Sequence, residues 1–216
     1  QAIMIDYEMN NGKKFFEEGS GFDPEQPFAN RDPRFYYSIA TPFSKYGVIE
    51  DGSYNEYDLQ MYLLFKDKTR EDFTADKTMP DYTDKAKDLA HAVTHTGLEL
   101  RKWYDPQKPI TDKQTITPFY PWFRLAEFYL NFAECAYMLG KEDECRTYIN
   151  KVRGRADVNM PPVTEGGTSL WDRLVNERRI EMAFEFTRYF DVRRWMIADK
   201  YENVPIAGMK TMILEN

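Results

Sequence analysis

Glu177, Glu181 and Glu185 recur every four residues in the stretch E-R-R-I-E-M-A-F-E, a spacing that puts three carboxylates on one helix face. Two acids flanking a sugar–oxygen bond are the machinery of glycoside hydrolysis: one protonates the leaving oxygen, the other attacks or activates water. On that reading Glu181 and Glu185 carry a hydrolase reaction. The opposite reading is structural. Asp191 brings the acids to four, against five arginines at 178, 179, 188, 193 and 194. A guanidinium is a rigid fork that suits bidentate pairing with a carboxylate. A general acid needs a raised pKa, and adjacent cations lower it. The charges therefore read as an ion-pair network that fastens the last helices together, with no catalytic residue among them.

Other residues with chemical potential are sparser. His91 and His95 share a helix face by their spacing, as in some zinc sites. No glutamate lies in register between them and no third ligand is evident, so no metal and no cofactor is expected. Cys135 and Cys145 stand five residues either side of Gly140. A helix turning back there would let them face each other, so pairing stays open beside the reading of two buried thiols. The segment N-R-D-P-R at 30–34 reads as a tie between a loop and the helical body, with an anion site as the sharper alternative. Aromatic residues are scattered through the loops at Phe15, Phe16, Phe22, Tyr46, Tyr54, Tyr57, Trp103 and Tyr104. Flat rings stack on the C–H faces of sugars, and binding residues favour loops. Phe22, Tyr46, Tyr54 and Tyr57 are the ligand-binding candidates, and ordinary packing is the alternative for each.

The elements that hold these residues differ in clarity. Ile3, Ile5 and Tyr7 alternate, a short strand signal. Phe35 to Ile39 is aromatic and β-prone, and Thr41-Pro42 ends it. Residues 43–84 show no sustained period and read as a long loop with one short element near 57–65. Residues 83–92 read as a short helix, and 97–104 as a short piece. Beyond Pro118, Leu125, Phe128, Phe132, Cys135 and Leu139 follow a 3-4-3-4 spacing, which predicts a helix with that stripe toward the core. Gly140 is its stop. Cys145, Tyr148, Ile149 and Val152 share a face of the next helix. The pair is an αα-hairpin with the anatomy of a tetratricopeptide-type unit. Ser169 with Asp172 reads as a capping box for a helix reaching about Phe186, and another covers 187–198.

The 216 residues suffice for one domain with a sizeable core. A net charge of −7 argues against nucleic acid, which needs a basic face. No run of 18 apolar residues exists, so nothing spans a bilayer as a helix. The start at Gln1 lacks the pattern of a signal peptide, so a mature or truncated product is expected, with any targeting signal upstream.

Several segments, in order, resemble the SusD/RagB family of Bacteroidetes nutrient-binding lipoproteins. They are Y-E-M-N-N-G-K at 7–13, G-F-D-P-E-Q-P-F-A-N-R-D-P-R-F-Y at 21–36 and T-H-T-G-L-E-L-R-K-W at 94–103, where Leu98 stands in place of the usual aromatic. W-F-R-L-A-E-F-Y-L-N-F-A-E, I-N-K-V-R-G-R-A and E-R-R-I-E-M-A-F-E-F-T-R-Y-F-D-V-R-R-W follow, the last being the most specific. The resemblance implies a mostly α fold of tetratricopeptide-type hairpins with a loop-rich C-terminal subdomain containing short strands. Residues 1–216 would be the C-terminal portion: 1–117 loop-rich and ligand-facing, 118–198 helical, 199–216 a tail. It further implies a non-enzymatic protein on the outer face of the outer membrane, lipid-anchored through an N-terminal part absent from this chain. Its partners would be a SusC-like TonB-dependent transporter and a glycan, with peptide as the other ligand class. A glycoside hydrolase using Glu181 and Glu185, and a tetratricopeptide-type scaffold, are the competing functions.

Overall fold

Residues 2–41, 44–50, 53–58, 98–103, 121–201 and 203 are described by a computed structural model, and they are mostly helical. The chain divides into two units. One comprises residues 1–38 and 120–206, the other 39–119 and 207–216.

The first unit is built on three helices: α3 (Leu125–Met138), α4 (Glu142–Arg153) and α5 (Gly167–Glu181). The αα-hairpin is present as predicted. Gly140 closes α3 at φ 72°, a left-handed backbone that glycine adopts without a Cβ penalty. The Lys141 amide donates to the Ala136 carbonyl (2.9 Å) and the Gly140 amide to that of Tyr137 (2.9 Å), the two bonds of a Schellman stop. Cys145, Ile149 and Val152 of α4 are buried, as their spacing predicts.

The core face of α3 is not the predicted one. Leu125, Phe128, Phe132 and Leu139 are 64%, 57%, 43% and 73% exposed, and Cys135 is exposed too. Ala126, Leu130, Ala133 and Ala136 are buried instead, and join Cys145, Ile149, Val152, Leu170 and Leu174 in the core. The physical reason is size. Three alanines on one face let α4 and α5 approach closely, while the bulky stripe points away. With Cys145 buried and Cys135 outside, both thiols are free and the disulfide option falls.

The amino-terminal segment also departs from expectation. Residues 2–6 form a short helix, α1 (Ala2–Asp6), not a strand. Phe35 lies in α2 (Pro33–Ser38), not a strand. Asp32-Pro33 explains this start: the Arg34 amide donates to Asp32 Oδ1 (2.9 Å), and proline suits the first helical position. Arg31 fastens the segment. Its guanidinium donates to the Tyr7 carbonyl (2.9 Å) and that of Met4, and lies over the rings of Phe15 (4.2 Å) and Phe35 (4.7 Å). Asn176 of α5 donates to the Asp6 carbonyl (3.0 Å), joining α1 to the helices.

After α5 the chain stops short of Phe186. Met182 is the C-cap, and Phe184 (φ 63°) and Phe186 (φ 61°) take left-handed backbone that bulky residues rarely adopt. Helices α6 (Arg188–Arg194) and α7 (Ala198–Tyr201) follow. The Ser169–Asp172 capping box is not used; α5 begins at Gly167 with no side-chain cap.

In the second unit, β1 (Ile39–Ala40) pairs antiparallel with β4 (Glu99–Leu100). β2 (Lys45–Glu50) and β3 (Ser53–Asp58) form an antiparallel hairpin where a long loop is the sequence expectation. The short element expected near 57–65 overlaps it only at its end. The helix expected at 83–92, and His91 and His95, lie outside the described residues.

Candidate functional site

Two sets of residues compete for function: the charges of α5 and the aromatics of the loops. The charges converge as one buried network. Glu177 accepts from Arg34 and from Arg153 Nη1 (2.9 Å). Glu181 accepts from Arg34 Nη1 (3.1 Å), Arg124 Nη1 (3.0 Å) and Arg155 Nη1 (2.6 Å). Glu185 takes a bidentate grip from Arg124 (2.9 and 2.7 Å). It does so from the irregular turn after α5, so the three glutamates do not share a helix face; they share arginines. Glu8 of the amino-terminal segment accepts from Arg153 (2.8 Å) and Arg173. Nearby, Arg178 donates to Asp191 (2.8 Å) and Asn131 (2.6 Å), docking α6 and α3 onto α5.

The arrangement removes Glu181 from general-acid chemistry. Burial pushes its carboxyl up, but the Arg34, Arg155 and Arg124 guanidiniums outweigh this and hold it at about 2. A group depressed from its ordinary 4.5 stabilises the fold above that value and loses the contribution as pH falls toward 2. The loss amounts to about 3 kcal/mol for this group. Urea melts at pH 7, 4.5 and 3 should show a flat upper range and a fall below 4.5. A stability that rises on acidification would contradict the assignment.

The segment at 30–34 is part of the same network and not an anion site. Arg34 is buried and donates to Asp32 through Nε (3.1 Å) and Nη2 (2.7 Å) besides the two glutamates. Among the described residues no group of three or more His, Cys, Asp or Glu could hold a metal. Nor is any described helix long and apolar enough to cross a membrane.

The aromatic candidates occupy two places. Phe22 is half-buried against Phe15 (4.2 Å between ring centres) and meets Phe16 edge-on (5.4 Å). Ser20 stiffens this loop by donating to the Phe15 carbonyl (3.1 Å) while accepting from the Phe22 amide (3.2 Å). Phe16, named among the loop aromatics but not chosen, is the exposed ring of the three. Tyr46, Tyr54 and Tyr57 all lie on the hairpin of the other unit. Residue 46 is directly opposite 57, and 54 opposite Ile49. The two-residue period of a strand places positions 46 and 57 on one face of the hairpin and 54 on the other.

A cavity of about 550 Å³ opens where the start of α3 meets the end of α4, lined by Arg124, Leu125, Ala126, Tyr129, Lys151, Val152 and Arg155. Spacing rules did not single it out, because its walls come from two helix ends and a loop.

The sequence model of the SusD family (SusD_RagB) matches residues 1–216. The crystal structure of a SusD-like protein from Bacteroides fragilis NCTC 9343 superposes with a TM-score of 0.68 at 26% identity, over 92% of this chain and 35% of that one. A SusD-like carbohydrate binding protein of the same organism superposes at 0.64 with 32% identity and the same two coverages. This chain thus spans about a third of the length of both structures. No curated protein matches it. A match along the whole sequence, with a shared fold over nearly all of it, settles the kinship: the chain belongs to the SusD/RagB family.

Proposed function

We propose that this chain is part of a cell-surface protein that captures oligosaccharide or polysaccharide and passes it to a SusC-like TonB-dependent transporter. The observation that carries this reading is the full-length family match, joined to a solved relative described as a carbohydrate binding protein. The protein acts by binding and not by catalysis. Its acids support that reading, since Glu181 is held ionised by three guanidiniums and cannot lend a proton at neutral pH. It is held at the outer face of the outer membrane by a lipid anchor outside these residues. Peptide is the second ligand class for such a protein.

The ligand-binding residues proposed within this chain are Tyr46, Tyr54 and Tyr57 on the hairpin of the second unit and, separately, Phe22 in the first unit. The hairpin register supports two of the tyrosines, since positions 46 and 57 are directly opposed on one face. Calorimetric titration of the complete polypeptide against plant and host glycans tests the function. Alanine at Tyr46 or Tyr57 should weaken binding by about tenfold, the usual effect of truncating an aromatic anchor, with the melting temperature unchanged. Unaltered affinity in the alanine variants at 46, 54 and 57 would remove the site. Release of new reducing ends from a bound glycan would replace capture with hydrolysis.

A further inference from the structure

We propose that the cavity between the start of α3 and the end of α4 binds a carboxylate-bearing sugar, a hexuronic acid residue of a captured glycan. The inference rests on the glycan-capture reading and adds a second site, apart from Phe22 and the hairpin tyrosines. At about 550 Å³ the cavity has the size of a small-molecule site, since these run from about 300 to 1,000 Å³. Its walls are of two kinds. Leu125, Tyr129 and Val152 supply an apolar surface for the C–H face of a pyranose ring. Arg124, Lys151 and Arg155 supply three cations, and no acid is among the described residues that line it.

The three cations are not committed alike. Glu181 and Glu185, both buried, hold Arg124. Arg155 Nη1 donates to Glu181 (2.6 Å), and its Nε lies 3.4 Å from Asp157. Lys151 forms no ion pair among the described residues. Its ammonium lies 4.2 Å from the centre of the Tyr148 ring and 5.3 Å from that of Tyr129. The network thus fixes two guanidiniums as wall and leaves an ammonium able to pair with an incoming anion. A hexuronate carries its carboxylate directly on the sugar ring. A ring resting on Tyr129 therefore brings that charge within reach of a cation 5.3 Å from the tyrosine's centre. A sulfate ester on the sugar's exocyclic carbon holds its charge further out.

The test is calorimetric titration of the complete polypeptide with trigalacturonic acid and with its methyl ester, which keeps the rings and removes the charge. The acid should bind at least about tenfold more tightly than the ester, the usual effect of a charge-assisted hydrogen bond. High salt should narrow the gap. Lys151→Met should close it by weakening the acid, with the melting temperature unchanged, and Lys151→Arg should restore most of it. Equal affinities for acid and ester in the parent protein, or a gap that survives Lys151→Met, would overturn the site. Galactose 6-sulfate binding as tightly as galacturonic acid would overturn the choice of a carboxylate. A polypeptide that binds neutral glycans but not trigalacturonic acid defeats this inference alone; one that binds no glycan defeats the capture reading with it.

Discussion

Replacing Arg34 with alanine will cost about 3–5 kcal/mol of folding stability, read as a lowered urea midpoint in far-ultraviolet circular dichroism. This one guanidinium donates to Asp32, Glu177 and Glu181, all of them buried. Removing it leaves carboxylates confined at low dielectric without their shared cation, which is more damaging than losing a surface ion pair. Lysine at 34 should rescue little, since a compact ammonium cannot reproduce a fork that reaches three carboxylates. A midpoint within about 0.5 kcal/mol of the parent, the range of ordinary surface changes, would show that Arg34 is no keystone.

Leu130→Ala should cost about 3 kcal/mol, whereas Leu139→Ala in the same 216-residue chain should change stability by less than about 0.5 kcal/mol. The contrast follows from the two faces of α3. Leu130 is fully buried among α3, α4 and α5, and its truncation leaves a cavity; Leu139 is exposed beside the Gly140 stop. Size and hydrophobicity alone would rank the two leucines together. Chemical denaturation of both variants decides whether the alanine face or the bulky face holds the helices. Equal losses would place Leu139 in the core and reverse the orientation.

That contrast also explains what could be read from the residues alone. The helices beyond Pro118, the glycine stop and the inward face of α4 were legible because period and punctuation agree there. The acids of α5 were readable as structural, but the guanidiniums that hold Glu177, Glu181 and Glu185, those of Arg34, Arg124, Arg153 and Arg155, are not among the five arginines counted beside them, because distant segments bring them in. The outward face of α3 was misread because the period names a stripe without saying which stripe packs, and a helix apolar on two faces offers two. The β2–β3 hairpin was missed although Asp51-Gly52 separates its strands, a two-residue signal for a tight turn. Polar residues such as Asn55 and Glu56 masked the alternation. The α1 and α2 helices were hidden for another reason: short aromatic and β-branched segments take the conformation that their tertiary contacts reward, here Arg31 and Asp32. The proposed ligand residues were visible only as aromatics in poorly patterned chain, and pattern cannot say what a ring stacks on.

The first unit is discontinuous: residues 1–38 and 120–206 meet, and residues 39–119 leave and return between them. Chain-closure entropy grows only logarithmically, so doubling the length of that excursion would cost about 0.6 kcal/mol. The buried ion pairs of Glu8 with Arg153 and of Arg34 with Glu177 and Glu181 join the two segments, and breaking one by removing a partner costs about 3–5 kcal/mol. The excursion, which carries Tyr46, Tyr54 and Tyr57, can therefore change in length at little cost to the framework. A change of length or sequence there leaves the ion-paired framework of the first unit in place.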